Sequence, residues 1–271
     1  MERVIVVRHH DIDSAGFIAD ALEARGAGLS VHLFPDDGPL PAPGGADRIV
    51  VLGAVSSVND PDPWIAEELD WLRAADRAGV PVLGICFGAQ ALCAAFGGRV
   101  EAMERREIGW TVVESADPDL VPPGPWLEFH NDRCLPPPAA TVLARNDVAV
   151  QAFRIGRHLA VQFHPEVDGP LLKLWLDAHT DSDPVSLGID PGQFLADTIR
   201  EEPAARDRTA RLVAAFLRLS RSEVSRSGPA GRTARSSWPA WPRTAGWRRR
   251  RTPRRGTRPG SGPPAPPGRS S

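Results

Sequence analysis

Several things that are scarce or missing in this sequence narrow its reading at once. Its 271 residues include three cysteines, Cys86, Cys93 and Cys134, an odd and widely spaced set that makes no disulfide framework and suits a reducing compartment. No apolar run approaches the roughly 18 residues of a membrane span. The first apolar run, residues 4–7, stops at Arg8 and is too short for the core of a signal peptide. A cytoplasmic protein is therefore expected. No His/Cys pair has zinc spacing, so neither a metal nor another cofactor is expected. There is no internal repeat and no Walker glycine–lysine loop, and no second domain is expected after residue 219.

The formal net charge of −2 hides an asymmetry, because residues 221–271 carry thirteen arginines and one glutamate, a net +12. The preceding 220 residues hold a net −14, which gives no reason to expect nucleic acid as a partner there. Beyond residue 220 the chain is Arg, Pro, Gly, Ser and Ala with isolated Trp and no periodicity. Such a segment buries too little apolar surface to offset its ordering entropy, so residues 221–271 are expected to be a disordered tail behind a domain spanning 1–220. The basic cluster at 248–251 offers a second reading, an arm for an acidic partner. At 42% hydrophobic residues the chain can afford a sizeable core.

Residues 4–7 are followed by a polar turn and by residues 14–24, where Phe17, Ile18, Ala21 and Leu22 share one helical face. Residues 29–34 and 48–52 read as further strands, the second closed by the small residues Gly53, Ala54, Val55, Ser56 and Ser57. Asp62 is placed to cap a helix with Pro63 at its first position and Ile65, Leu69 and Leu72 at core spacing. Residues 81–85 read as the central strand. Unbroken apolar strands alternating with helices imply a parallel α/β sheet. Farther on, residues 109–113, 126–129, 141–144, 148–155 and 159–163 read as strands with few helices between them. A mixed sheet completing the same domain follows. Helical pattern returns after Gly169 in two stretches, the later one over residues 204–219 with Leu212, Phe216 and Leu219 on its apolar side.

The central strand passes without a loop into helix-forming residues 87–95, and Cys86 stands at the join. Gly84-x-Cys86-x-Gly88 is the cysteine form of the nucleophile elbow, a sharp strand-to-helix turn that lifts a nucleophile above the sheet in strained backbone geometry. A sulfur there faces a helix N-terminus, whose unpaired N–H groups carry roughly half a positive charge and favour the thiolate. A lone cysteine is more often a packing residue. Strand, glycines and helix together reverse that preference.

A nucleophile of this kind needs a base, and the base needs an orienting group. His164-Pro165-Glu166 offers both, directly after the strand at 159–163. If that strand keeps its extended path, side chains 164 and 166 point to the same face. Cys86 and His164 both fall just past the carboxyl ends of strands, where open α/β sheets bind their ligands. A triad of Cys86, His164 and Glu166 is expected. His9 and His10 follow the first strand without comparable context. His130, in Phe129-His130-Asn131-Asp132, is a candidate for the pocket wall, whereas His32, His158 and His179 read as surface or packing residues.

At these residues the chain resembles the class I glutamine amidotransferases. Gly84-Ile85-Cys86-Phe87-Gly88-Ala89-Gln90 is similar to their G-x-C-x-G-x-Q motif, and Val161-Gln162-Phe163-His164-Pro165-Glu166 to their V-Q-F-H-P-E motif. The similarity in order and spacing runs from Met1 to about Leu219. It implies a flavodoxin-like, three-layer sandwich around a central, mostly parallel, mixed sheet. It also implies hydrolysis of the glutamine side-chain amide to glutamate and ammonia. Cys86 would attack the carboxamide carbon to form a γ-glutamyl thioester, His164 would pass the proton to the departing ammonia, and Glu166 would hold the imidazole. The oxyanion hole would be the backbone N–H groups of Phe87 and Ala54, although the family usually shows Gly-Gly-Pro where Gly53-Ala54-Val55 stands. Gln90 and Gly53 would help bind substrate, and His130 and Asn131 belong to a stretch resembling the segment that holds its α-amino and carboxylate groups. Residues 56–60 are similar to stand-alone members. Three roles follow: a glutaminase feeding an unidentified synthase partner, a stand-alone γ-glutamyl hydrolase, or a regulatory module that has lost turnover.

Overall fold

Alternation along the apolar strands decides the layers. In the computed structural model, which describes residues 1–178 and 189–219, the chain runs through β1 (Arg3–Arg8), α1 (Gly16–Glu23), β2 (Gly28–Leu33), β3 (Arg48–Val51) and α2 (Pro63–Arg77). It continues through β4 (Val82–Ile85), α3 (Phe87–Ala95), β5 (Arg99–Ser115), β6 (Gly124–Leu135), β7 (Thr141–Arg145), β8 (Val150–Ile155) and β9 (His158–Val161). Two helices close it, α4 (Gly169–Asp177) and α5 (Pro191–Arg218). Val4 and Val6 of β1, Val50 of β3 and Leu83 and Ile85 of β4 pack on one side with Ile18 and Leu22 of α1 and Leu212 and Phe216 of α5. The intervening residues Ile5, Val7, Ile49, Val51 and Val82 pack on the other with Ile65 and Leu72 of α2 and Ala89 and Leu92 of α3. Period-two strands between two helical layers make the three-layer sandwich.

The strand order is β2-β1-β3-β4-β9-β8-β7-β5-β6, parallel from β2 to β9 and antiparallel from β9 to β6. Strands β4 and β9, far apart in sequence, are neighbours with Ile85 level with Val161. The residues that follow each of them therefore leave the sheet side by side. Among the described residues no helix is long and apolar enough to cross a membrane.

Some elements differ from the sequence expectation. The stretches at 109–113 and 126–129 are parts of one long hairpin, β5 and β6, of 17 and 12 residues. Its far half is charged at Glu101, Glu104, Arg105 and Arg106, which masks the apolar alternation that marks a strand. Helix α5 begins at Pro191 rather than residue 204 and runs through Pro203, a residue whose missing N–H normally ends a helix. Buried Phe194 and Thr198 before it and Ala205 and Leu212 after it hold both halves against the domain, so packing outweighs local propensity. Asp62 occupies the cap position of α2, but its side chain makes no capping hydrogen bond. Strand β9 stops at Val161 instead of continuing to residue 163, because the backbone at His164 turns to bond Leu127 of β6 (N to O, 2.8 Å). The tail at 221–271 and His179 lie outside the described residues.

The elbow is held by a backbone approach that only glycine permits. A Cβ on Gly84 would lie 2.4 Å from the Gly88 carbonyl oxygen, and one on Gly88 would lie 2.3 Å from that of Val51. Neither obstacle is a side chain that could swing away. Replacing Gly88 by Ala should therefore destabilise the fold by about 3 kcal/mol or more. Gly156→Ala, at φ +54 but with nothing within 4 Å, should cost only about 1–2 kcal/mol of left-handed strain. Urea unfolding of the two variants measures the difference, and equal midpoints would show that the close approach is not what constrains the elbow.

Candidate active site

Cys86 is the only non-glycine residue with positive φ among the described residues (φ 51, ψ −105). A side chain is held in so unfavourable a region only where its surroundings demand it. Its N–H donates to Val161 O at 2.9 Å, tying the elbow to the end of β9, and its carbonyl accepts from Gln90 N at 3.0 Å as α3 begins. The thiol is 6% exposed and opens onto a pocket shared with Gln90, His130 and His164.

His164 is held from several directions. Its own N–H reaches β6, the Phe163 ring before it stacks on Trp126 at 4.4 Å, and the Pro165 carbonyl accepts from Thr209 Oγ1 at 2.7 Å. Nδ1 meets Glu166 Oε1 at 2.7 Å, with Glu166 2% exposed behind it. Residues 164 and 166 thus meet across a turn, not along one face of an extended strand as expected, because Pro165 cannot continue a ladder. Nε2 closes no hydrogen bond among the described residues. Burial works against protonation of this imidazole, but Glu166 and Cys86 outweigh it and hold its pKa well above the usual value. A Cβ added to Gly53 would stand 3.3 Å from His164 Cε1 and 3.7 Å from Cys86 Cβ, so the loop after β3 crosses where the thiol and imidazole converge.

The remaining candidates gather at the same place. Gly53, Ala54, Gln90, His130 and Asn131 all line the pocket, and the Oδ1 atom of Asn131 is buried without a partner among the described residues. Phe87 lies behind it with its ring buried, and its N–H begins α3. His130 donates from Nδ1 to Asp132 O at 2.9 Å and faces Glu128 Oε2 at 3.1 Å and Glu107 Oε2 at 3.3 Å through Nε2. Burial opposes its charge, yet the two carboxylates raise its pKa to about 10. Asn146 and Gln151 hold Glu107 in turn at 2.6 and 2.9 Å. The ligand atoms of Glu107, Glu128 and His130 lie within 4.8 Å of one another, a spacing that could hold a cation. With a proton on each ring nitrogen, His130 acts there as the cation itself.

Other residues at the site gave no signal in the sequence. His9, passed over for want of context, is buried and bonded to Gly53 O and Glu68. Asp13, on the pocket wall, accepts from Trp175 Nε1 at 3.1 Å, and the Trp175 ring meets His164 edge-on at 5.0 Å. Glu107 sits in a charged run and Glu128 among apolar strand residues, so neither stands out until β5 and β6 pair. His158 stacks on Phe96 and bonds Asp76, and His32 bonds Gly38 O, as expected of packing and surface residues.

The shifted histidines fix the sign of a pH effect. His130 keeps its proton to about pH 10 in the folded protein but releases it near 6.5 when unfolded. Between those values the folded state binds more protons, so this contribution is complete below pH 6.5 and lost as pH rises to about 10. His9 and His164, both raised, act in the same sense. Urea stability should therefore fall between pH 7 and 10 by up to about 1.4 kcal/mol per pH unit for His130. His130→Gln should flatten the profile, and a profile unchanged by that substitution would contradict the buried ion cluster.

Comparison with known proteins gives the family. Residues 15–171 match the family model for glutamine amidotransferase class-I. A GMP synthase [glutamine-hydrolyzing] from Thermomicrobium roseum is 41% identical over 128 residues, covering 44% of this chain and 23% of that protein. One from Alkalilimnicola ehrlichii is 33% identical over 167 residues, covering 54% and 31%. The chain thus spans less than a third of the length of either relative. Among solved structures, a glutamine amidotransferase from Thermotoga maritima superposes with a TM-score of 0.74 at 25% identity, covering 80% of this chain and 98% of that one. The chain belongs to the class I glutamine amidotransferase family.

Proposed function

We propose that the chain hydrolyses the side-chain amide of glutamine through Cys86, His164 and Glu166, in the cytoplasm, and delivers ammonia to a synthase on a separate polypeptide. The observation that carries this reading is the strained Cys86 opening onto the same pocket as His164, whose far nitrogen is fixed by Glu166 at 2.7 Å. The raised pKa of His164 supplies an imidazolium next to the sulfur. The Cys86 thiolate attacks the carboxamide carbon, and the electron pair moves onto the oxygen. The N–H groups of Phe87 and Ala54, neither bonded to another group among the described residues, receive that oxyanion. His164 then gives its Nε2 proton to the amide nitrogen, and ammonia leaves a γ-glutamyl thioester. The neutral imidazole takes a proton from water as it attacks, and the second tetrahedral intermediate expels the thiolate and glutamate. Gln90 and Asn131, whose Oδ1 has no partner among the described residues, line the same pocket and would hold the amino-acid end.

The relatives named as glutamine-hydrolysing GMP synthases support glutamine as substrate and a synthase as the consumer of ammonia. Residues 1–220 form the working domain in this reading, and residues 221–271 are dispensable to it.

Purified protein should release ammonia from glutamine slowly and faster when a synthase partner is added. Cys86→Ala should lose ammonia release by a factor on the order of 10⁴–10⁶ and no longer be labelled by an electrophilic glutamine analogue. Retained turnover in that variant would remove Cys86 from its role. Glutamate released from γ-glutamyl amines at full rate without a partner would instead favour a stand-alone hydrolase. A chain ending at Ser220 should keep both its melting temperature and its ammonia release; loss of either would give the basic tail a structural part.

A further inference from the structure

We infer that His9 and Glu68 are positioning residues that hold the Gly53–Ala54 peptide with its N–H, and not its C=O, toward the oxyanion. The inference rests on the amide hydrolysis proposed above. His9 Nδ1 lies 2.8 Å from Gly53 O, and since a carbonyl only accepts, Nδ1 carries the proton. In a planar trans peptide the C=O of one residue and the N–H of the next point in opposite directions. Drawing the Gly53 oxygen toward His9 therefore aims the Ala54 N–H the other way. Ala54 lines the pocket, and Gly53 lies beside both Cys86 and His164.

The imidazole has little freedom to do anything else. Its other nitrogen meets Glu68 Oε2 at 2.9 Å, and its ring packs against both Trp64 and Phe87, with centroids 5.3 and 4.9 Å away. Phe87 carries the other proposed oxyanion donor. One ring thus bonds the first donor peptide and packs against the residue of the second. The side chains of His9 and Glu68 are 3% and 0% exposed. An ion pair so buried rarely stabilises a fold better than apolar residues of the same size. Glu68 leaves its second oxygen, Oε1, without a partner among the described residues, which adds to the cost of keeping a charge there. Burial disfavours protonation of His9, and Glu68 more than offsets it, so both ring nitrogens donate. A flipped peptide would face the developing negative oxygen with a carbonyl, turning attraction into repulsion.

The test compares the full-length protein with its His9→Leu and His9→Asn variants. His9→Leu should lower kcat for glutamine by about 10²-fold, the loss seen when one oxyanion donor is removed, with KM changed less than about threefold. Alkylation of Cys86 by iodoacetamide, a displacement at a saturated carbon that develops no oxyanion, should proceed at nearly the parental rate. His9→Asn, whose Nδ2–H reaches about the place of Nδ1–H, should recover at least about tenfold of the lost kcat. A crystal structure of His9→Leu should show the Gly53 carbonyl turned from its present direction with the Cys86 and His164 region unmoved. The inference is overturned if kcat is unchanged, if kcat and alkylation fall together, or if the peptide keeps its orientation. Should the parent protein itself release no ammonia, the proposed hydrolysis fails, while the peptide orientation in His9→Leu still decides the positioning claim.

Discussion

The site depends on backbone approaching backbone where three strands and a helix converge. Because Gly84 and Gly88 carry no Cβ, the Gly88 carbonyl of α3 lies against Gly84 of β4 and the Val51 carbonyl of β3 lies against Gly88, at distances no side chain would tolerate. The chain can make that turn only by forcing Cys86 to positive φ, which leaves the thiol above the strand ends. The Cys86 N–H then bonds Val161, so the point where β9 ends is tied to Cys86 by main chain alone. His164 follows three residues later. Its meeting with Cys86 is thus a property of the sheet register and does not rely on the reach of flexible side chains.

Around this point the fold repeats one electrostatic arrangement. His164 is backed by Glu166, His130 by Glu128 and Glu107, and His9 by Glu68. His164 and His130 line the pocket while their glutamates do not, so each pair presents its positive end to the pocket. A chain that carries a net −14 in its first 220 residues therefore has a locally positive surface in this pocket. Asp13 and Asp132, also on the wall, provide negative charge elsewhere in the same pocket.

The parallel half of the domain was legible because each of its signals is local. Residues 48–52 and 81–85 are short, largely apolar runs with small residues or a cysteine elbow at their ends, and the observed strands β3 and β4 match them within a residue. The elbow and the His-Pro-Glu segment could be read because their spacing is short. What could not be read is what depends on pairing across the fold. Glu107 and His130 become neighbours only through the antiparallel register of β5 and β6, in which they stand directly opposite each other. His9 and Glu68 meet across β1 and α2, which no sequence spacing encodes. The expectation of a common strand face for residues 164 and 166 reached the right pair by the wrong geometry, since a turn at Pro165 brings them together.

The same pairing explains why the loop after β3 departs from Gly-Gly-Pro without losing its place at the site. Its first position is sterically constrained, for a Cβ on Gly53 would press on His164. In the proposed role Ala54 would offer only an N–H, which any residue but proline has, and Val55 is 65% exposed. Proline at the third position would restrict the residue before it, whereas valine leaves that residue free to turn. A hydrogen bond from a buried imidazole to the Gly53 carbonyl supplies the missing restraint from below, so rigidity that local sequence does not provide comes from a residue at the end of the first strand.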